Sequence, residues 1–381
     1  MYKQLDPHRG ELVHRPRRFI TPVALIAFLG GLLLTAPSSG AAPQTRSAEW
    51  PQIGYDARRT SYNPHETILG PSTVARLKLR WIKTDAGYPV VGKGLLYAYS
   101  GGLIAAFDPI SGAARWQADP PIYPVANPEY DAGRVYATGY GPSLSTLNAH
   151  TGAQLWFGGY GYASYYAAPV IMRGVYVSDT YGETFAYDEV TGELRWYDPP
   201  AGVVGVPAAA NGIVFLGDEA VTASTGKVVW TGLTSVYSVM VAEGVLYAAS
   251  GSNVSAYTAT NGAPLWTTNV GGSTALAIAN GVVYAGNSLG TVTALAAATG
   301  STLWSTQVGA TNYGIGAVAV ANGLVYAGSG DGQLAAIDAG SGAVLWNRKL
   351  SGAVVSQIVV NGMLYATAVD AYVNSIYAFG L

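Results

Sequence analysis

From residue 80 to the end of the chain, short runs of β-branched and aromatic residues alternate with glycine-punctuated turns, and the pattern repeats. Each unit ends in a small residue, glycine, three variable residues and tryptophan. The copies run from Ser111-Gly112 to Trp116, Thr151-Gly152 to Trp156, Thr191-Gly192 to Trp196 and Thr225-Gly226 to Trp230. They continue from Asn261-Gly262 to Trp266, Thr299-Gly300 to Trp304 and Ser341-Gly342 to Trp346. The tryptophans lie 40, 40, 34, 36, 38 and 42 residues apart. That period, with no helical text inside it, predicts one four-stranded blade per repeat.

Within each unit a turn glycine opens a Gly-x-x-Tyr strand, as at Gly94 to Tyr97, Gly281 to Tyr284 and Gly323 to Tyr326. A third strand follows and ends four residues before the next turn glycine, for example at Asp108, Asn148, Asp188 and Asp338. Asp and Asn there are suited to bonding the turn backbone, and the glycine supplies the positive φ of the hairpin. The recurrent tryptophans are expected to seal blade against blade.

The Gly-x-x-Tyr strands number eight but the Gly-to-Trp strands only seven. Arg80-Trp81-Ile82 has the missing text, and the last unit, from Gly352 to Leu381, stops after three strands. The expected fold is therefore all-β: a single eight-bladed propeller of four-stranded antiparallel blades, closed where an N-terminal strand joins the C-terminal blade. Closure removes two open sheet edges. Residues 72–381 form the propeller and 42–71 its lead-in.

Residues 1–41 read as a signal peptide or N-terminal anchor. Arg15, Arg17 and Arg18 precede an apolar run from Phe19 to Leu34, and Ser39 and Ala41 suit a peptidase site. Export to the periplasm or the extracellular space follows, with membrane attachment only through an uncleaved leader. Lys and Arg total 20 and Asp and Glu 22. The leader holds five and two of these, so 15 cations and 20 acids remain, a net charge near −5. No basic stripe exists for nucleic acid.

The repeat resembles the pyrroloquinoline-quinone (PQQ) propeller family: Gly323-Leu324-Val325-Tyr326, Leu334-Ala335-Ala336-Ile337-Asp338 and Ser341-Gly342 through Trp346 match its unit. The resemblance implies one of three roles: quinoprotein dehydrogenase, lipoprotein subunit of the outer-membrane assembly machine, or a propeller that is only a binding module. Quinoprotein dehydrogenases of the family hold PQQ and Ca²⁺ beneath a disulfide of adjacent cysteines and carry long insertions. The lipoprotein subunit of the outer-membrane assembly machine is anchored through a Cys. This chain has no Cys, and its blades use nearly the whole mature length.

Chemistry-bearing residues are few. Outside the leader the histidines are His65 and His150, in separate contexts, which gives no zinc set and no His-based nucleophile. Asp179 and Glu183 in blade 3, with Asp218 and Glu219 in blade 4, are candidate Ca²⁺ ligands on neighbouring loops. Tyrosine is concentrated: 12 of 27 fall between Tyr123 and Tyr197. Tyr140, Tyr160, Tyr162, Tyr165, Tyr166 and Tyr181 are expected on one loop face, where tyrosine with glycine gives contact area at low ordering cost. The expected function is a non-enzymatic exported scaffold, without cofactor or catalytic residue, that binds a protein or an envelope polysaccharide. The alternative is a small quinoprotein oxidoreductase with PQQ and Ca²⁺ in the axial channel.

Overall fold

The computed structural model describes residues 49–124, 127–140, 143–159, 168–179, 182–199, 206–233 and 236–381. Eight sheets follow one another along the chain, antiparallel except where the lead-in strand Tyr62–Asn63 joins blade 7 in parallel. Blade 1 runs inner to outer as Ala86–Gly92, Leu95–Ser100, Leu103–Phe107 and Ala114–Ala118. Blades 2 to 7 repeat that order. Blade 8 takes Ala353–Val360, Met363–Asp370 and Val373–Gly380 from the C-terminus and its outer strand, Lys78–Thr84, from the N-terminus. Trp81 pairs with Ala378 and Lys83 with Ile376, so the ring closes as the strand count requires.

The Gly-to-Trp text has a direct physical reading. The carbonyl of a residue three before each turn glycine accepts the indole N–H of the preceding blade's tryptophan. Trp116 donates to Ala149 at 3.0 Å, Trp196 to Ala223 at 2.9 Å and Trp230 to Ala259 at 3.0 Å. The same indole covers the glycine: a Cβ at Gly152, Gly226 or Gly262 would lie 2.6–2.8 Å from its ring atoms. Glycine is thus required twice, for its positive φ (+67° at Gly226) and for the room it leaves the ring. Trp346 has no such turn ahead of it in the composite blade and packs edge-on against Phe379 at 5.4 Å.

The acidic residues before the turns serve the turns. Asp108 Oδ1 accepts from the N–H groups of Ile110 and Ser111, and Asp188 Oδ1 from those of Val190 and Thr191. Those bonds, with Arg115 beside it, hold the Asp108 carboxyl down at about 2.

Antiparallel blades place the inner-strand entries and the turns between second and third strands on one face of the ring, the loop face. The turns between first and second strands lie on the other. The lead-in follows that other face. It makes one circuit of the ring and bonds to every inner strand in order. Trp50 exchanges backbone bonds with Val91 of blade 1, and Pro51 accepts from Tyr130 of blade 2. The Gln52 amide both donates to and accepts from the Ile171 backbone of blade 3, at 3.1 Å each. Carbonyls of Ala57, Arg58, Thr60 and Ser61 then accept from Ala209, Val241, Ile278 and Val320 of blades 4 to 7. Asn63 and Glu66 finish on Val359 and Gly362 of blade 8. The boundary expected at residue 72 does not separate the lead-in from the ring, since every blade uses it.

Candidate binding face and axial cavity

The circuit of the lead-in floors the channel. The cross-brace of the floor is Arg59, whose guanidinium donates to the carbonyls of Ile53, Ala168, Pro169 and Pro207 and lies 3.5 Å from Glu129 Oε1. Glu129 Oε2 accepts from the Ile53 N–H at 2.7 Å. Both side chains are buried (6% and 0% exposed). Burial pushes the Glu129 carboxyl up to about 8 against the opposing pull of the Arg59 charge, and burial lowers Arg59.

On the loop side of this floor lies a cavity of about 320 Å³. Counting back from each turn glycine explains its lining. The position six residues before it holds Tyr88, Asn127, Val206, Ser238, Ala275, Ala317 and Ser356 in blades 1, 2, 4, 5, 6, 7 and 8, and all seven line the cavity. Val239, Leu276, Val318 and Gln357 form the next layer down. The walls are small, neutral and largely apolar. PQQ is a tricarboxylate and needs cations, and its Ca²⁺ needs carboxylates. The described lining has one cation, Arg59, already held by four carbonyls, and no carboxylate. It does not fit PQQ with Ca²⁺.

The loop face has a different character. Tyr160, Tyr162, Tyr165, Tyr166 and Tyr181 lie outside the described residues. Tyr140 closes the strand Arg134–Tyr140 at its loop-face end, where it pairs with Tyr123. Two further tyrosines stand on this face in blades 7 and 8: Tyr313, 51% exposed, and Tyr372, fully exposed. Tyr372 sits in a two-residue turn with Ala371, at φ +73° and +45°. Such a turn ordinarily takes Asn-Gly. Here it projects an aromatic ring into solvent in a conformation unfavourable for a residue with a Cβ.

Asp179 is buried, and its Oδ1 accepts from the Glu183 N–H at 2.9 Å. Glu183 in turn accepts from the Tyr197 hydroxyl at 2.7 Å. Across the blade boundary, burial raises Asp218. Burial, a hydrogen bond to Asp198 and the charges of Asp198 and Asp218 together push Glu219 up to about 7. Asp198 ends the outer strand Leu194–Asp198, a place where strand text hides it. Among the described residues no three His, Asp or Glu side chains converge closely enough to ligate a metal.

These five carboxylates belong to a larger asymmetry. Asp85, Asp119, Asp331 and Asp370 also lie at the loop face, making nine acids, against Lys83, Arg348 and Lys349. The floored half carries the remaining described charges, eleven acidic and eleven basic. The loop half is thus at −6 and the floored half neutral.

Closed eight-bladed rings with this repeat define a PQQ-repeat propeller. The chain belongs to the family described as outer membrane protein assembly factor BamB, whose profile matches residues 56–159, 167–240, 233–306 and 288–379. No curated protein sequence matches it. Among solved structures, BamB from Moraxella catarrhalis is similar over 80% of this chain and all of its own, at 19% identity and a TM-score of 0.68. A quinohemoprotein alcohol dehydrogenase from Pseudomonas putida HK5 is similar over 88% of this chain and 80% of its own, at 16% identity and a TM-score of 0.73. The computationally designed protein Ika8 is similar at a TM-score of 0.69 and 17% identity, over 78% of this chain and 97% of its own. At these identities the structures share the fold.

Proposed function

We propose that the protein is an exported scaffold of the cell envelope that binds a protein partner through its loop face and performs no reaction of its own. The observation that carries this reading is the contrast between the two candidate places. The axial cavity is walled by small neutral side chains, and the one cation of its described lining is already engaged. The loop face presents exposed aromatic rings and charge of one sign. Membership of the assembly-factor family supports a protein as partner. The quinoprotein alternative has the shared fold in its favour, but the cavity lining does not fit its cofactor.

The test is a loop-face variant combining Tyr313→Ser and Tyr372→Ser. Both rings are exposed, so stability is expected to change by less than about 0.5 kcal/mol. Capture of envelope proteins on the immobilised propeller is expected to fall sharply. Unchanged capture with lowered stability would make these rings structural and overturn the reading.

A further inference from the structure

We infer that the loop face docks a cationic segment of its protein partner, one rich in Lys or Arg. This inference rests on the loop-face reading and names the chemistry of the partner. The argument begins with the division of charge. Nine acids face three cations on the loop half, whereas charges balance on the floored half. A folded domain gains nothing from gathering like charges on one side, since their repulsion opposes the compact state. Two of the three cations are already engaged: Lys349 lies 3.5 Å from Asp331, and Lys83 sits 4.9 Å from the centre of the Phe107 ring.

At the boundary of blades 3 and 4 Asp198, Asp218 and Glu219 lie together, and burial, with these neighbours adding to it, raises Glu219. A docked cation relieves the crowding. The exposed faces of Tyr313 and Tyr372 offer the second contact that Lys and especially Arg make, over an aromatic ring. Anionic partners are disfavoured by the same field. Nucleic acid, acidic polysaccharide and anionic lipid would all meet an excess of like charge.

The experiment uses the mature protein and a fluorescent peptide of alternating Arg and Gly, with the Glu–Gly peptide as its opposite, followed by anisotropy. The loop-face variant combines Asp119→Lys and Asp370→Lys, and the floored-face variant combines Glu193→Lys and Glu243→Lys. Both change the net charge equally, so a difference between them reports position and not total charge. The Arg–Gly peptide is expected to bind wild type, and more weakly on going from about 0.05 to about 0.3 M salt. The loop-face pair should weaken it roughly tenfold and the floored-face pair less than about twofold. Tyr372→Ser, which leaves charge untouched, should weaken it by roughly threefold or more.

Equal losses from the two charge variants, or no loss in Tyr372→Ser, would reduce the effect to bulk charge and overturn the inference. Preference for the Glu–Gly peptide would overturn it outright. Two failures can be told apart. If the tyrosine substitutions abolish partner capture but the Arg–Gly peptide does not bind, loop-face docking stands and the cationic partner falls. If capture ignores the tyrosine substitutions, both fall.

Discussion

Arg59→Ala is expected to lower the stability of the propeller by roughly 3–5 kcal/mol and its thermal midpoint by about 10 °C. The substitution removes a buried cation that ties the lead-in, through Ile53, to blade 3 at Ala168 and Pro169 and to blade 4 at Pro207. It leaves four carbonyls and the buried Glu129 carboxyl without their donor. Each buried acceptor left without its donor costs about 1–3 kcal/mol. Glu129→Gln supplies the companion measurement. The folded-state pKa of Glu129 is raised to about 8, against an unfolded value near 4.3. The folded protein therefore keeps a proton that the unfolded chain gives up. The associated stability is full below the unfolded value and is lost as pH rises to about 8. Wild type should melt higher at mildly acid pH than at pH above 8, and Glu129→Gln should flatten that slope. Denaturation curves across this range check both, and an unchanged midpoint in Arg59→Ala would contradict the cross-brace.

Trp230→Ala should cost a similar amount, roughly 3–5 kcal/mol. The indole is buried between blades, packs 6.2 Å from the Phe215 ring and donates to Ala259 at 3.0 Å. Trp230→Phe keeps most of the ring and loses the donor, so about 1 kcal/mol is expected. The partner glycine gives a sharper readout. A Cβ at Gly262 would lie 2.6 Å from the indole, at φ +69°. In wild type, Gly262→Ala must displace the tryptophan as well as strain the turn. With Trp230→Ala already present, only the backbone strain remains, about 1 kcal/mol. The double variant should therefore be markedly less destabilised than the sum of its parts. Additive losses in urea titrations would show that the indole and the turn do not meet.

The residues involved show why some of this was legible in the sequence. Trp230 and Gly262 recur with the blade period, so both their presence and their structural role could be read from repetition. Asp108 and Asp188 could be read as turn caps for the same reason. The lead-in occurs once. Gln52, Arg59 and Glu129 have no counterpart in other blades, and the second arginine of an Arg58-Arg59 pair before a propeller reads as an ordinary surface charge. Only the closed ring brings Arg59 onto carbonyls more than a hundred residues away. Tyr372 escaped notice because its turn lacks the glycine that marks the others. Asp198 escaped because it ends a strand. The face-wide charge asymmetry needed the strand directions, which assign each acid to one half of its blade.

The most direct test of loop-face docking is photo-crosslinking in the cell with a photoreactive residue at position 372 or, on the floored face, at position 243. Both places are accessible at turns, so each reports what approaches its own face. A discrete crosslinked protein from position 372 and none from 243 is the predicted result. Crosslinks from 243 alone would move the interface to the lead-in side and contradict the account.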